Sequence, residues 1–281
     1  MRTFIREKKI YCGADYLEVD FFKYTKGEDE NARHGKRSKK EVESIQKQVD
    51  WNDINSRRRF IWLVNANFGH GDLHISLTYT DANLPRTVEG AEKELKNYLR
   101  RVAYKRKKEG LPALKYVAIP ACAMQKDGVT PSRIHHHIVM NGGLSRDVVE
   151  DLWRKRRERN RKKGEKIGYA NADRLQPEEN GLAALCEYLS KQAGGKKRWS
   201  SSQNLDKPEK EIVDPGKSPE ETVSRFSASE NLEKPWSRTN DHSISRKEFE
   251  KVAKNPPGTD YWERRYPGYT LCGGGYGYKA A

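Results

Sequence analysis

Three consecutive histidines, His135-His136-His137, stand inside the segment Arg133-Ile134-His135-His136-His137-Ile138-Val139-Met140. Aliphatic and β-branched residues flank them and Asn141-Gly142-Gly143 follows, so the segment reads as a short strand ended by a turn. Alternate side chains on a strand share a face. His135 and His137 therefore point one way with Val139, while Ile134, His136, Ile138 and Met140 point toward a core. Two imidazoles two residues apart on one sheet face can grip a divalent cation from one side and leave the other side open to a substrate oxygen. A chance histidine cluster on a half-exposed strand would look the same. The second candidate group is Tyr188 with Lys191, three apart on one helix and so side by side. A phenol beside a cation-bound phosphate is a covalent catalyst, and Lys191 could stabilise its phenolate or contact the phosphate. On spacing alone, an ordinary helix-edge aromatic explains Tyr188 better.

The chain that must position these groups has 281 residues, enough for one large domain or two small ones. Hydrophobic residues make up 35% and charged residues 34%, and mean hydropathy is −1.02, which predicts one modest core with long solvated arms. A net charge of +15 and a pI near 9.5 make a polyanion the natural partner. The sequence shows neither a membrane-length apolar run nor a signal peptide. Cys12, Cys122, Cys186 and Cys272 lie far apart with no C-x-x-C pair, which argues against a zinc ribbon and a disulfide framework and fits a reducing cytoplasm.

Residues Ile10 to Tyr24 can pair as short strands, and Lys26 to Lys40 reads as a charged arm. Ser38 to Asn65 reads as a helix opened by a capping box, Ser38 with Glu41. Leu73 to Thr80 alternates cleanly, with Ile75, Leu77 and Tyr79 on one side and His74, Ser76 and Thr78 on the other. Thr87 to Glu109 is a helix with the stripe Val88, Ala91, Leu95, Leu99 and Val102, ended by Gly110 and Pro112. Lys115 to Ala123 is a strand joined by a polar loop to the histidine strand, so the two should be antiparallel neighbours. Ser145 to Lys163 and Glu178 to Gln192 read as helices, the second burying Leu182, Leu185, Cys186 and Leu189.

Strand, helix, strand, strand, helix, helix is the order of an α+β domain: an antiparallel sheet with helices packed on one face. Those helices would bury Ile75, Leu77, Tyr79, Val117, Ile119, Ile134 and Ile138, leaving the histidines over a basic cleft. The expected division is an N-terminal arm and helix (1–66), a central domain (67–208) and an irregular, partly flexible C-terminal extension (209–281).

The helix from Ser145 ends in a dense basic run containing Arg154, Arg156, Arg157, Arg161 and Lys162. So many like charges have no interior use, and nucleic-acid contact ranks above a solvated face. Arg198 and Trp199 open a segment whose core, S-[QE]-N-L-[DE]-K-P, recurs near Ser229 to Pro235 as a local duplication. Ser245 to Ala253 is a short helix, and the aromatic, basic patch Tyr261 to Tyr269 could stack on bases or on the domain.

H-x-H on a strand, an earlier L-T-Y strand and a later Y-x-x-K helix resemble the HUH endonucleases that start rolling-circle replication. Asn67-Phe68 with Gly71-Asp72, Leu77-Thr78-Tyr79, Leu114 to Val117, Arg133 to His137, Leu152-Trp153, Tyr188 to Lys191 and Trp199 to Pro208 are similar to the replication-initiator (Rep) proteins of bacterial plasmids and filamentous phages. The resemblance spans about Asn65 to Pro208. It implies a ferredoxin-like or RRM-like palm, His135 and His137 as ligands of Mg²⁺ or Mn²⁺, Tyr188 as nucleophile and Lys191 as its helper. The implied substrate is single-stranded or hairpin origin DNA in a bacterial cytoplasm, with a host helicase and polymerase as partners. Mobilisation relaxases, single-strand transposases and a non-catalytic nucleic-acid-binding module are the competing readings. One departure stands out. The strand before the histidines in such proteins commonly carries a Glu as third ligand; here Ala121 takes its place, and Gln125 is the first-ranked substitute, ahead of Asp127 or His74. Ala184 and Gln192 flank Tyr188 four residues either side, so one tyrosine serves the helix.

Overall fold

The computed structural model describes residues 3–13, 16–25, 46–121, 133–155, 163–178, 181–192, 198–206, 209–210, 236–240 and 244–269. The chain forms two compact units, one of residues 67–178 with 182–205, the other of residues 1–66 with 179–181 and 206–281. The two ends, expected as separate arms, instead share a unit.

The unit of residues 67–178 and 182–205 carries a five-stranded antiparallel sheet. Its strands are β3 (Leu73–Leu77), β4 (Tyr116–Ala121), β5 (His135–Met140), β6 (Ala170–Arg174) and β7 (Ser200–Ser201), in the order β6-β3-β5-β4-β7. Leu73, Ile75 and Leu77 are fully buried while His74 and Ser76 are half-buried, the alternation expected of a strand with one core face. Helix α2 (Val88–Lys108) starts where the Thr87 side chain accepts a hydrogen bond from Gly90 N. It ends in Lys105 to Lys108, whose charges suit the negative end of the helix dipole. Its stripe of Ala91, Leu95, Tyr98, Leu99 and Val102 closes over Ile75, Leu77, Ile138 and Met140 together with Val149 of α3 (Arg146–Asp151) and Trp153.

Register corrects one assignment. Val117 and Ile119 pair with Val139 and His137, so they belong to the histidine face; Ala118, opposite Ile138, faces the α2 core. The expected helix to Lys163 stops at Asp151. There Trp153 turns inward, 1% exposed, and its Nε1 donates to Thr78 O at 2.7 Å. Arg154 then pairs with Lys166 in an antiparallel bridge, and Lys155 N donates to Glu165 O, so the chain doubles back. Gly168 lets this return pass: a Cβ there would sit 2.1 Å from Thr78 O. Strand β6, which follows, was not expected; Ala-Asn-Ala-Asp-Arg offers no β-branched residue to announce it. Helix α4 (Ala183–Gln192) packs against β4 and buries Ala183, Cys186 and Leu189.

In the other unit, the hairpin β1 (Thr3–Cys12) and β2 (Tyr16–Thr25) joins β8 (Glu209–Lys210) and β9 (Trp236–Asn240) in the order β2-β1-β9-β8. Helix α1 (Gln46–Asn65) packs on β1; the proposed start at Ser38 lies outside the described residues. Arg58 and Trp62 of α1 both donate to the fully buried Glu18 carboxylate, which satisfies a charge that would otherwise be costly inside. Helices α5 (Arg246–Lys254) and α6 (Thr259–Arg265) complete it. Trp262 and Tyr266, candidates for base stacking, are instead 3% and 4% exposed and pack with Leu17, Val19 and Val252. The extension expected to be irregular thus supplies a core.

Candidate metal centre

His135 and His137 open β5, whose N-terminal approach is fixed by Arg133: its guanidinium donates to Tyr79 O and pairs with Asp81 at 2.7 Å. Each histidine has one ring nitrogen committed and the other available. His135 Nδ1 lies 3.1 Å from Arg133 O; a carbonyl only accepts, so Nδ1 carries the proton and Nε2 keeps its lone pair. His137 Nδ1 lies 3.2 Å from both His74 Nε2 and Ser76 Oγ, and its Nε2 is buried without a hydrogen-bond partner. Donation from Nδ1 to either neighbour again leaves Nε2 bare. With the proton on Nδ1, a hydrogen bond at that nitrogen orients the ring and leaves the other nitrogen free for a metal. The rings of His135 and His137 are 5.1 Å apart between centroids, and His74 stacks on His137 at 5.3 Å.

Burial, with His74 and His135 nearby, pushes the His137 pKa down to about 4, so the ring is neutral at neutral pH and able to ligate. Burial also lowers His74, against the pull of Asp173. His136 belongs to the opposite face, as its alternation predicts. It is fully buried, 2.7 Å from Tyr79 Oη, with its pKa brought to about 4 by burial and the adjacent histidines.

Helix α4 brings Tyr188 to this face. The Tyr188 ring stands edge-on to His137, centroids 5.7 Å apart, and the residue remains 49% exposed. Lys191 is exposed one turn further along α4. The structure therefore joins His135, His137 and Tyr188. Across the sheet, Ala121 stands opposite His135 and Ile119 opposite His137, neither with a donor atom. His74 braces His137 instead of offering a third free nitrogen. Gln125 and Asp127 lie outside the described residues, as do Arg156, Arg157, Arg161 and Lys162. Among the described residues, no group of three or more His, Cys, Asp or Glu is placed to hold a metal ion. Two neighbouring imidazoles, His135 and His137, are what the described residues offer a cation here.

Arg154 is half-buried and committed to Asp151 and Gly164 O, and it stands on the α2–α3 layer. Trp199 is also half-buried and lines a small cavity with Leu95, Leu99, Tyr116 and Pro120, with Arg198 beside it in sequence. Neither is next to the histidines. Sequence reasoning gave no role to Tyr169, which is 84% exposed. Its carbonyl accepts from Thr78 N, and two residues on, Asn171 opposes Ser76, so Tyr169 falls on the histidine side of edge strand β6. No local sequence signal marks it, because neither its exposure nor the edge strand that follows can be read from Ala-Asn-Ala-Asp-Arg. Among the described residues no helix is long and apolar enough to cross a membrane. Compared with known protein families, curated proteins and solved structures, the chain has no match.

Proposed function

We propose that this protein nicks and rejoins single-stranded DNA through a tyrosine, as an initiator of rolling-circle replication. The observation that carries the reading is the half-exposed Tyr188 ring set against His137, whose Nε2 is buried and bare. His135 and His137 would hold Mg²⁺ or Mn²⁺, and Gln125 remains the proposed third ligand. The ion, when bound, polarises the scissile phosphate and offsets its charge.

The Tyr188 phenol oxygen attacks phosphorus; its proton passes to solvent and Lys191 steadies the phenolate. The bond from phosphorus to the 3′ oxygen breaks, and that oxygen takes up a proton. The products are a 5′-phosphotyrosine and a free 3′-hydroxyl, which can prime synthesis; attack by a 3′-hydroxyl on the phosphotyrosine reverses the step and rejoins the strand. Origin DNA in single-stranded or hairpin form is the proposed substrate, in a bacterial cytoplasm, with host helicase and polymerase extending the end.

A labelled single-stranded oligonucleotide library incubated with Mn²⁺ tests this. A covalent adduct in the unaltered protein that disappears in Tyr188→Phe supports nicking. A second reading, a nucleic-acid-binding module without catalysis, is favoured by the lack of a three-ligand cluster among the described residues. Binding with no adduct, in the unaltered protein, decides for it.

A further inference from the structure

The face of the sheet opposite the histidines carries a cationic feature. A cleft opens between α2 and the segment that follows α3. Arg100 and Arg101 line it from α2; Arg154, Lys155 and Lys163 line it from the other side. Against these five cations stand two acids, Glu94 and Asp151, a surplus of three. Asp151 is already paired with both Arg154 and Lys163. Arg101 donates through Nε to Leu152 O at 3.0 Å, yet its Nη2 is buried and has no hydrogen-bond partner. A buried guanidinium nitrogen without an acceptor is costly, and a fully solvated basic surface would not contain one.

The geometry points to this cleft as a site for the phosphate backbone of double-stranded DNA, separate from the histidine face. Its lining tells duplex from single strand. Grooves for single strands pair cations with aromatics on which bases stack. Among the described residues no aromatic lines this cleft, and a duplex, with its bases already stacked inside, presents phosphates. Aromatics stand on the other face, where Tyr188 and Tyr169 are exposed. The protein would then hold duplex on the α2 side and a single strand on the histidine side. The cleft stands on charge and shape alone; only the choice of DNA over RNA rests on the proposed nicking function.

The test is equilibrium binding of the full chain across a salt series, in EDTA so that nicking plays no part. Arg100→Ala with Lys155→Ala removes two exposed cations. Each phosphate contact contributes about 0.9 to the slope of log K against log salt, so on random-sequence duplex the slope should fall by about 1.8. On single-stranded oligothymidine it should fall by less than about 0.5 by the same reasoning. In the unaltered chain, duplex should also protect Lys155 and Lys163 from acetylation. A duplex slope that does not change, an equal fall on oligothymidine, tighter binding to duplex RNA, or lysines acetylated as fast with duplex as without it would overturn the proposal.

Discussion

Replacing both neighbours of His137 Nδ1, as in His74→Phe with Ser76→Ala, leaves both proposed ligands in place and removes what orients one of them. The two contacts are each 3.2 Å, so either neighbour alone can still accept the Nδ1 proton. Loss of both frees the ring to carry its proton on Nε2, the atom proposed to bind the ion. Removing such a supporting shell typically lowers metal affinity about 10- to 100-fold. That corresponds to about 1.4–2.7 kcal/mol. Each single substitution should cost clearly less than the pair, because the remaining partner still fixes the tautomer. Titration of Mn²⁺ followed by its paramagnetic resonance signal reads the affinity directly, with His135→Ala as a reference for loss of a ligand. Thermal melting checks that the sheet survives; Ile75 and Leu77, which anchor β3, are untouched. An unchanged Mn²⁺ affinity in the double variant, alongside a large loss in His135→Ala, would refute the tautomer argument. No loss in either would refute the metal centre.

Four further outcomes follow from the geometry. Tyr169→Ala should weaken single-strand binding by about 1–3 kcal/mol if the ring stacks on a base, read by fluorescence anisotropy, and should leave the melting temperature nearly unchanged. Gly168→Ala forces a Cβ to within 2.1 Å of Thr78 O and should cost about 1–3 kcal/mol in urea unfolding. Arg106 is buried and donates to Pro112 O, Asn141 O and Gly142 O, so Arg106→Leu should destabilise by about 2–4 kcal/mol and loosen the turn after β5, visible as faster amide exchange there. Acid should unfold the protein through His136: its pKa drops from 6.5 to about 4 on folding, so the unfolded chain takes up the proton first. That contribution is complete above pH 6.5 and is lost as pH falls toward 4, about 3 kcal/mol at most, measurable as a steeper loss of urea midpoint than in His136→Leu.

The α+β architecture was legible because its strongest signals are periodic. Leu73 to Leu77 alternates, and the α2 stripe repeats at helical spacing and is capped at Thr87. Facing of the histidines also followed from strand period alone: His136 went to the core and His137 to Tyr188. What was misread lacks a local signature. Val117 and Ile119 are aliphatic like core residues, and only their pairing with Val139 and His137 shows which side they serve. The helix from Ser145 looked longer because lysine and arginine favour helices, but burial of Trp153 and the Arg154–Lys166 bridge end it at Asp151. The tie between His74 and His137 spans 63 residues, a distance over which no sequence window reaches.

Ala121 opposite His135 has a consequence for how such an enzyme would be controlled. With two imidazole nitrogens and, in the proposed site, the neutral amide of Gln125 where a carboxylate would bind more firmly, a cation would dissociate readily from the free protein. A phosphate oxygen arriving with the strand adds a ligand, so ion and DNA would each raise the other's affinity by the same factor. On the proposed function, the protein would then be idle without DNA and become armed only when a strand is in place, a safeguard against stray cutting.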